Sequence, residues 1–187
     1  MEVLEKMLTY QEYREMEFDE DDNFRYELLN GILMRKGSPT IEHQRIAGNI
    51  YFRMRLFVEE KQVGEVFSAP LDVVLDDHNA PQPDIFFVSK DKKYILDEEK
   101  QVVIGTPDII IEILSPGSVK KDRITKKKIY ESCKVPEFWI VDPSYRHIEI
   151  YKLAGDTYEL ADFVEESGTL KSTVLAGFEL PLAQIFI

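Results

Sequence analysis

"TPDIIIEILSPG", residues 106 to 117, sets one carboxylate, Glu112, in the middle of an apolar run. The Ile and Leu residues between Pro107 and Pro116 are too few for a typical globular helix and are mostly β-branched, so the stretch predicts an interior strand. A bare carboxylate is expensive to bury there. A chain that keeps one pairs it, coordinates a metal with it, or uses its perturbed chemistry. Strand alternation puts Asp108, Ile110, Glu112 and Leu114 on one face and Ile109, Ile111 and Ile113 on the other. Asp108 shares the face of Glu112 but lies four residues away, roughly 13 Å along a strand, too far to share an ion. The better partner is Asp84 in "PQPDIFFVSK", which opens a second apolar strand directly after a proline. Taken alone, a Pro-Asp dipeptide reads as a strand-end residue bonding the local backbone.

Working outward, Thr9 and Glu12 fit a capping box for a short first helix that "DEDDNFRY" ends. Asn30-Gly31 in "YELLNGILMRK" marks a hairpin turn. From Ser38-Pro39 to about Gln62, His43, Ile46, Ala47, Ile50, Met54 and Phe57 recur at helical spacing. "EVFSAPLDVVLD", "DIFFVS" and "DIIIEIL" read as strands, followed by a helix from about Ser118 to Ser132 and the strands "EFWIVDP", "HIEIYKL" and "YELADFVE". The order predicts an α/β (α+β) fold, a mixed sheet with helices packed against it. No linker or repeat divides the chain, so one domain over residues 1–187 is expected.

The second helix carries the run "VKKDRITKKKIYESCK". At 100° per residue from Lys126, Val119, Asp122, Ile129, Tyr130 and Cys133 fall within about 60° of it and form the inward face. Lys120, Lys121, Lys127 and Lys128 point elsewhere. An inward lysine with Asp122 one turn before and Tyr130 one turn after is an internal ion pair or a catalytic group.

Composition bounds the setting. Of 187 residues 44% are apolar, enough for a full core. The single cysteine, Cys133, cannot form an internal disulfide, the first residues lack the apolar centre of a signal peptide, and no stretch is long and apolar enough for a membrane span, so a cytoplasmic setting without membrane contact is expected. A formal charge of -12 argues against a surface broadly attractive to nucleic acid. Such a partner is met locally, with Lys120, Lys121, Arg123, Lys127, Lys128 and Lys134 as the candidate cations. Two carboxylates and a lysine are the parts of metal-assisted phosphodiester hydrolysis: the carboxylates gather magnesium or manganese, and the ammonium orients water and steadies developing charge.

"PD" at Pro83-Asp84, "EIL" from Glu112, "SPGSVKKDRITKKKIY" and "VPEFWIVDP" closely resemble the restriction-endonuclease-like family of bacterial proteins expanded in cyanobacteria, within the PD-(D/E)XK nuclease superfamily. "YELLNGIL" and "SPTIEHQRIAGNIY" match its N-terminal half. The resemblance implies a restriction-endonuclease-like mixed sheet flanked by helices and a Mg2+ (or Mn2+)-dependent endodeoxyribonuclease acting on DNA, with Asp84 and Glu112 as metal ligands. The superfamily pattern wants a lysine two residues after Glu112, where this chain has Leu114. The resemblance implies that this lysine has moved to the following helix, at Lys126. His43 reads first as a core or capping histidine and Glu27 as a bond to a turn backbone. The resemblance makes both candidates for the border of the site, beside Asp122 and Tyr130, which the helical phase around Lys126 already sets there. A homodimer is left open. Two other readings stand beside the nuclease: a nucleic-acid-binding module without cleavage, and an acidic domain that meets a protein partner.

Overall fold

The computed structural model describes residues 7–18, 24–165 and 167–187. Helix α1 spans Tyr10–Arg14 and starts with the expected capping box: Thr9 Oγ1 accepts from the Glu12 amide at 3.2 Å, and Glu12 Oε2 accepts from the Thr9 amide at 2.9 Å. It ends at Arg14, well before the acidic run expected to stop it, and residues 19–23 of that run lie outside the described residues. Strands β1 (Arg25–Leu29) and β2 (Ile32–Lys36) form the hairpin that Asn30-Gly31 announced. Both turn residues are left-handed, with φ of 52° and 70°, the geometry a two-residue hairpin loop demands. Helix α2 (Ile41–Lys61) starts slightly later than the expected Ser38-Pro39 and is capped by Thr40, whose hydroxyl accepts from the His43 amide at 3.1 Å.

The stretch "EVFSAPLDVVLD" is two strands, not one. β3 (Gly64–Ser68) stops before Pro70, which has no amide hydrogen for a ladder, and β4 (Val73–Val74) joins a different sheet. β5 (Ile85–Ser89), β6 (Leu96–Asp97), β7 (Val102–Ile104) and β8 (Ile109–Ile113) follow. After the second helix, ending in α3 (Lys127–Ser132), come β9 (Glu137–Asp142), β10 (His147–Ala154), β11 (Thr157–Glu165), β12 (Thr169–Lys171) and β13 (Glu179–Pro181). The main sheet has the order β11-β10-β9-β8-β5-β3, in which only β8 and β9 run parallel. β4, β7 and β6 make a small separate sheet.

Every residue of β8 is buried, as expected for an interior strand covered on both faces. Ile109, Ile111 and Ile113 pack with Ile46, Ile50 and Met54 of α2. Ile110 and Leu114 pack on the other face with Phe86, Phe138 and Ile129. Glu112 belongs by parity to that second face, beneath α3. The structure is thus a mixed sheet flanked by helices.

The second helix departs from the expected geometry. Residues Lys121–Lys126 form a π turn, in which the Lys127 amide donates to the Asp122 carbonyl five residues back. A π turn holds roughly one residue more than an α turn, so everything before Lys126 is rotated relative to a 100° projection. Asp122, Ile129 and Tyr130 are inward as expected. Val119, expected inward, is 41% exposed, and Lys121, expected outward, swings toward the Lys126 side.

One buried carboxylate explains the C-terminal packing. Glu137 accepts from Trp139 Nε1 (2.7 Å), Ser172 Oγ (2.7 Å), the Thr173 and Val174 amides (2.5 and 3.1 Å) and the Thr173 hydroxyl. It fastens residues 172–174 against β9 and has no further capacity for chemistry. Among the described residues no helix is long and apolar enough to cross a membrane.

Candidate active site

β5 and β8 pair antiparallel with Ile85 opposite Ile111. Continuing this register by one residue sets Asp84 across from Glu112, on the face of Phe86 and Ile110. Asp84 Oδ2 accepts from the Ile113 amide at 2.8 Å and lies 3.0 Å from His43 Nε2, while Oδ1 lies 3.9 Å from Lys36 Nζ. Burial works to raise the Asp84 pKa, but His43, Lys36 and Lys126 outweigh it and hold the carboxyl below its ordinary range. The His43 imidazole is also buried, which lowers its pKa, yet the Asp84 carboxylate wins and the net shift is upward. His43 is therefore both the core histidine first expected and a direct partner of Asp84. Asp108 is at the far end of β8, held by Lys92 at 3.0 Å and the Ser89 amide at 2.8 Å, so the tempting pair with Glu112 does not exist.

Glu112 is 2% exposed. Its Oε1 accepts from Lys126 Nζ at 2.9 Å and from Tyr130 Oη at 2.5 Å. Burial, aided by Asp122 and Asp84 and opposed by Lys126 and Lys36, pushes its pKa up to about 7. Lys126 is 1% exposed and has carboxylates around its ammonium: Glu112 at 2.9 Å, Glu27 at 2.9 Å and Asp122 at 3.7 Å. Burial disfavours its charge, but these partners overcome burial and hold its pKa well above the ordinary lysine value. Burial also raises Asp122, against the pull of Lys126.

Glu27 is fully buried in β1 and receives two lysines, Lys126 at Oε2 and Lys121 at Oε1, the latter at 2.7 Å. Against burial, Lys126, Lys36 and Lys121 lower its pKa to about 2. It binds the helix lysines, not merely a turn backbone.

The cleft that opens onto Asp84, Glu112 and Lys126 has a basic rim formed by Arg25, Arg35, Lys36 and Lys121. Three of these come from the hairpin, where Arg25 pairs across the strands with Lys36. The cations expected from the sequence lie on or just after the second helix, and these three are not among them. The signal was present, because a turn at Asn30-Gly31 fixes a register that brings Arg25, Arg35 and Lys36 to one open end. Of the helix cations expected to meet nucleic acid, Lys121 lines this cleft. Arg123 turns away to Asp142 (3.1 Å) and Glu149 (2.5 Å), Lys127 lies 3.4 Å over the Tyr151 ring, and Lys134 pairs with Asp156 at 2.7 Å. Lys120 and Lys128 are exposed.

Among the described residues no group of three or more His, Cys, Asp or Glu side chains is arranged to hold a metal ion. The Asp84 and Glu112 pair fits a more sparing site. Asp84 Oδ1 and Glu112 Oε2 accept no hydrogen bond from any described residue, and both residues line the cleft. Two carboxylates with water in the remaining positions suit magnesium or manganese, hard ions that keep much of their hydration.

A solved structure from Anabaena variabilis ATCC 29413, described as "a putative nuclease belonging to DUF820", shares 22% identity with this chain, covers 96% of it and 97% of its own length, and superposes with a TM-score of 0.74. At that identity the likeness is one of fold. No protein of curated function matches. Residues 10–183 match the Uma2 family, described as "Putative restriction endonuclease". The match takes in the hairpin, both faces of the sheet and the whole of the cleft, and the chain belongs to this restriction-endonuclease-like family.

Proposed function

We propose that the chain is a metal-dependent endonuclease that hydrolyses DNA phosphodiester bonds, with Asp84 and Glu112 as ligands of Mg2+ or Mn2+ and Lys126 as the catalytic cation. The observation that carries this reading is the meeting of the three side chains in one cleft with a basic rim. A bound magnesium ion supplies charge neutralisation at the phosphate and a more acidic bound water.

The chain's own residues do the rest. Lys126, kept charged by Glu27, Asp122 and Glu112, offers its ammonium to the attacking water or to charge building on the phosphate. Tyr130 fixes the Glu112 carboxylate by donating its hydroxyl, and His43 fixes Asp84 through its ring Nε2. Arg25, Arg35, Lys36 and Lys121 hold the flanking phosphates. With a net charge of -12, the protein meets DNA through this rim and repels it elsewhere.

The test is cleavage of DNA by the purified chain in magnesium or manganese. Glu112→Gln keeps the shape and removes the ligand charge, so it abolishes cleavage without unfolding the protein. In single-turnover reactions at saturating protein, Lys126→Ala slows the cleavage step and leaves DNA affinity nearly intact. Lys128→Ala at most weakens binding and flattens its salt dependence. Equal cleavage by wild type and Glu112→Gln, or none by either over many DNA substrates, moves the assignment to a binding module that keeps the fold.

A further inference from the structure

On the far side of the loop at Ser115 lies a second groove, and Ser115 lines both it and the cleft. Ser115 lies three positions after Glu112, roughly 10 Å along an extended chain. One wall is a row of rings. His147 stacks on Phe163 with centroids 4.7 Å apart and planes at 27°, and Tyr145 sits 6.3 Å from His147. Val119 and Pro116 also line the groove, as does Arg123, which pairs with Asp142 and Glu149.

Two features of this groove ask for an occupant. Tyr145 is 79% exposed and Phe163 47%, so two large rings face water without contributing to the core. The turn that carries Tyr145 is nevertheless built: Asp142 Oδ1 accepts from the Ser144 and Tyr145 amides at 3.1 and 3.3 Å, and Arg146 donates to the Phe186 carbonyl at 2.5 Å. The lining meanwhile sets one guanidinium against two carboxylates. That balance repels phosphate and acidic peptides, whereas the neutral face of a flat ring meets no such penalty.

We infer that this groove takes an unpaired nucleobase, stacked on Tyr145 and Phe163, from the DNA strand whose phosphates run along the basic rim. This rests on the nuclease reading of the cleft. The division of labour follows from charge: cations at the rim hold the backbone, and the aromatic groove holds the base. A base paired within a duplex has both faces covered, so only a single-stranded or flipped-out nucleotide can enter. Stacking on aromatic side chains tolerates any base, so the groove selects for unpairedness more than for sequence.

The experiment binds single-stranded oligonucleotides to the full chain in calcium, with 2-aminopurine placed at one position at a time. In the wild type binding lowers the probe's emission by stacking, at each position the sequence-tolerant groove can take. Tyr145→Ala and Phe163→Ala restore that emission and weaken single-strand binding by roughly 5- to 150-fold, the range for one lost base stack, and by more than they weaken duplex binding. Both side chains are exposed, so circular dichroism and the urea midpoint stay close to wild type. If the oligonucleotide binds, competes with duplex and depends on Lys121, yet no position is quenched or the quench survives both substitutions, the groove is not a base site and the nuclease reading stands. If the wild type binds no DNA of any form, both readings fall together.

Discussion

Replacing Glu27 by glutamine keeps the shape of the site and removes one of the charges that hold Lys126. The size of the effect follows from its titration. Burial opposes the Glu27 charge, but Lys126, Lys36 and Lys121 take its pKa from 4.5 to about 2. At 1.36 kcal/mol per unit this corresponds to about 3 kcal/mol of stability at neutral pH. Breaking a buried pair by removing one partner costs about 3–5 kcal/mol, and Lys126 retains Glu112 and Asp122, so the lower end applies. The sign is that of a depressed carboxylate: the contribution is complete above pH 4.5 and is lost as pH falls toward 2. Urea unfolding followed by the emission of Trp139, the only tryptophan and fully buried, reads the difference directly. Glu27→Gln is expected to lose about 3 kcal/mol at pH 8, and the gap to wild type narrows by roughly 1 kcal/mol by pH 3.5. A loss below about 1 kcal/mol at pH 8, or a gap that does not narrow in acid, refutes the account of Glu27 as the counter-charge of the two lysines.

Glu137→Ala strands the buried Trp139 Nε1 and the part-buried donors of residues 172–174 at once and costs about 3–5 kcal/mol in the same urea assay, with earlier proteolysis at residues 172–174, whereas Glu137→Gln keeps part of the acceptor set and loses less. Leu114→Lys, which writes the usual superfamily lysine into β8's continuation, puts an ammonium among Ile110, Ile129 and Phe138; it lowers the urea midpoint and does not rescue cleavage in Lys126→Ala. His43 has a raised pKa in spite of its burial, through Asp84, so its ion pair contributes below the ordinary histidine value and fades as pH rises through the raised one. His43→Ala is accordingly more destabilising at pH 6 than at pH 9, and a loss that grows with pH contradicts the pairing.

The parts of the fold that were legible in the sequence carry their causes locally. Asn30-Gly31 makes a turn by its own left-handed preference, Thr9 caps through Glu12 three residues on, and the parity of β8 follows from strand alternation alone. The long helix was visible because Ile46, Ile50 and Met54 keep a 3.6-residue period. What stayed hidden depends on partners distant in sequence or on a change of period. Glu137 stands at the start of an apolar strand, but its donors lie at residues 172–174. Lys121 was turned outward by an α-helical projection that the π turn does not obey. The rim arginines are not legible residue by residue in the sequence, because only the hairpin register makes Arg25 and Lys36 neighbours.

The π turn also changes how the aim of a lysine can be adjusted. On a strand, moving a side chain by one position sends it to the opposite face, so a lysine at position 114 would have only two settings, toward the cleft or away from it. A helix with a surplus residue offers intermediate angles, reached by adding or deleting a single codon. Here the surplus lets residues five apart, Lys121 and Lys126, grip the two oxygens of one carboxylate, Glu27. The cation of this site therefore sits on the element of the fold whose direction can be tuned by small changes in length, while its carboxylates stay on β8 and at the head of β5, where length cannot vary without losing the face.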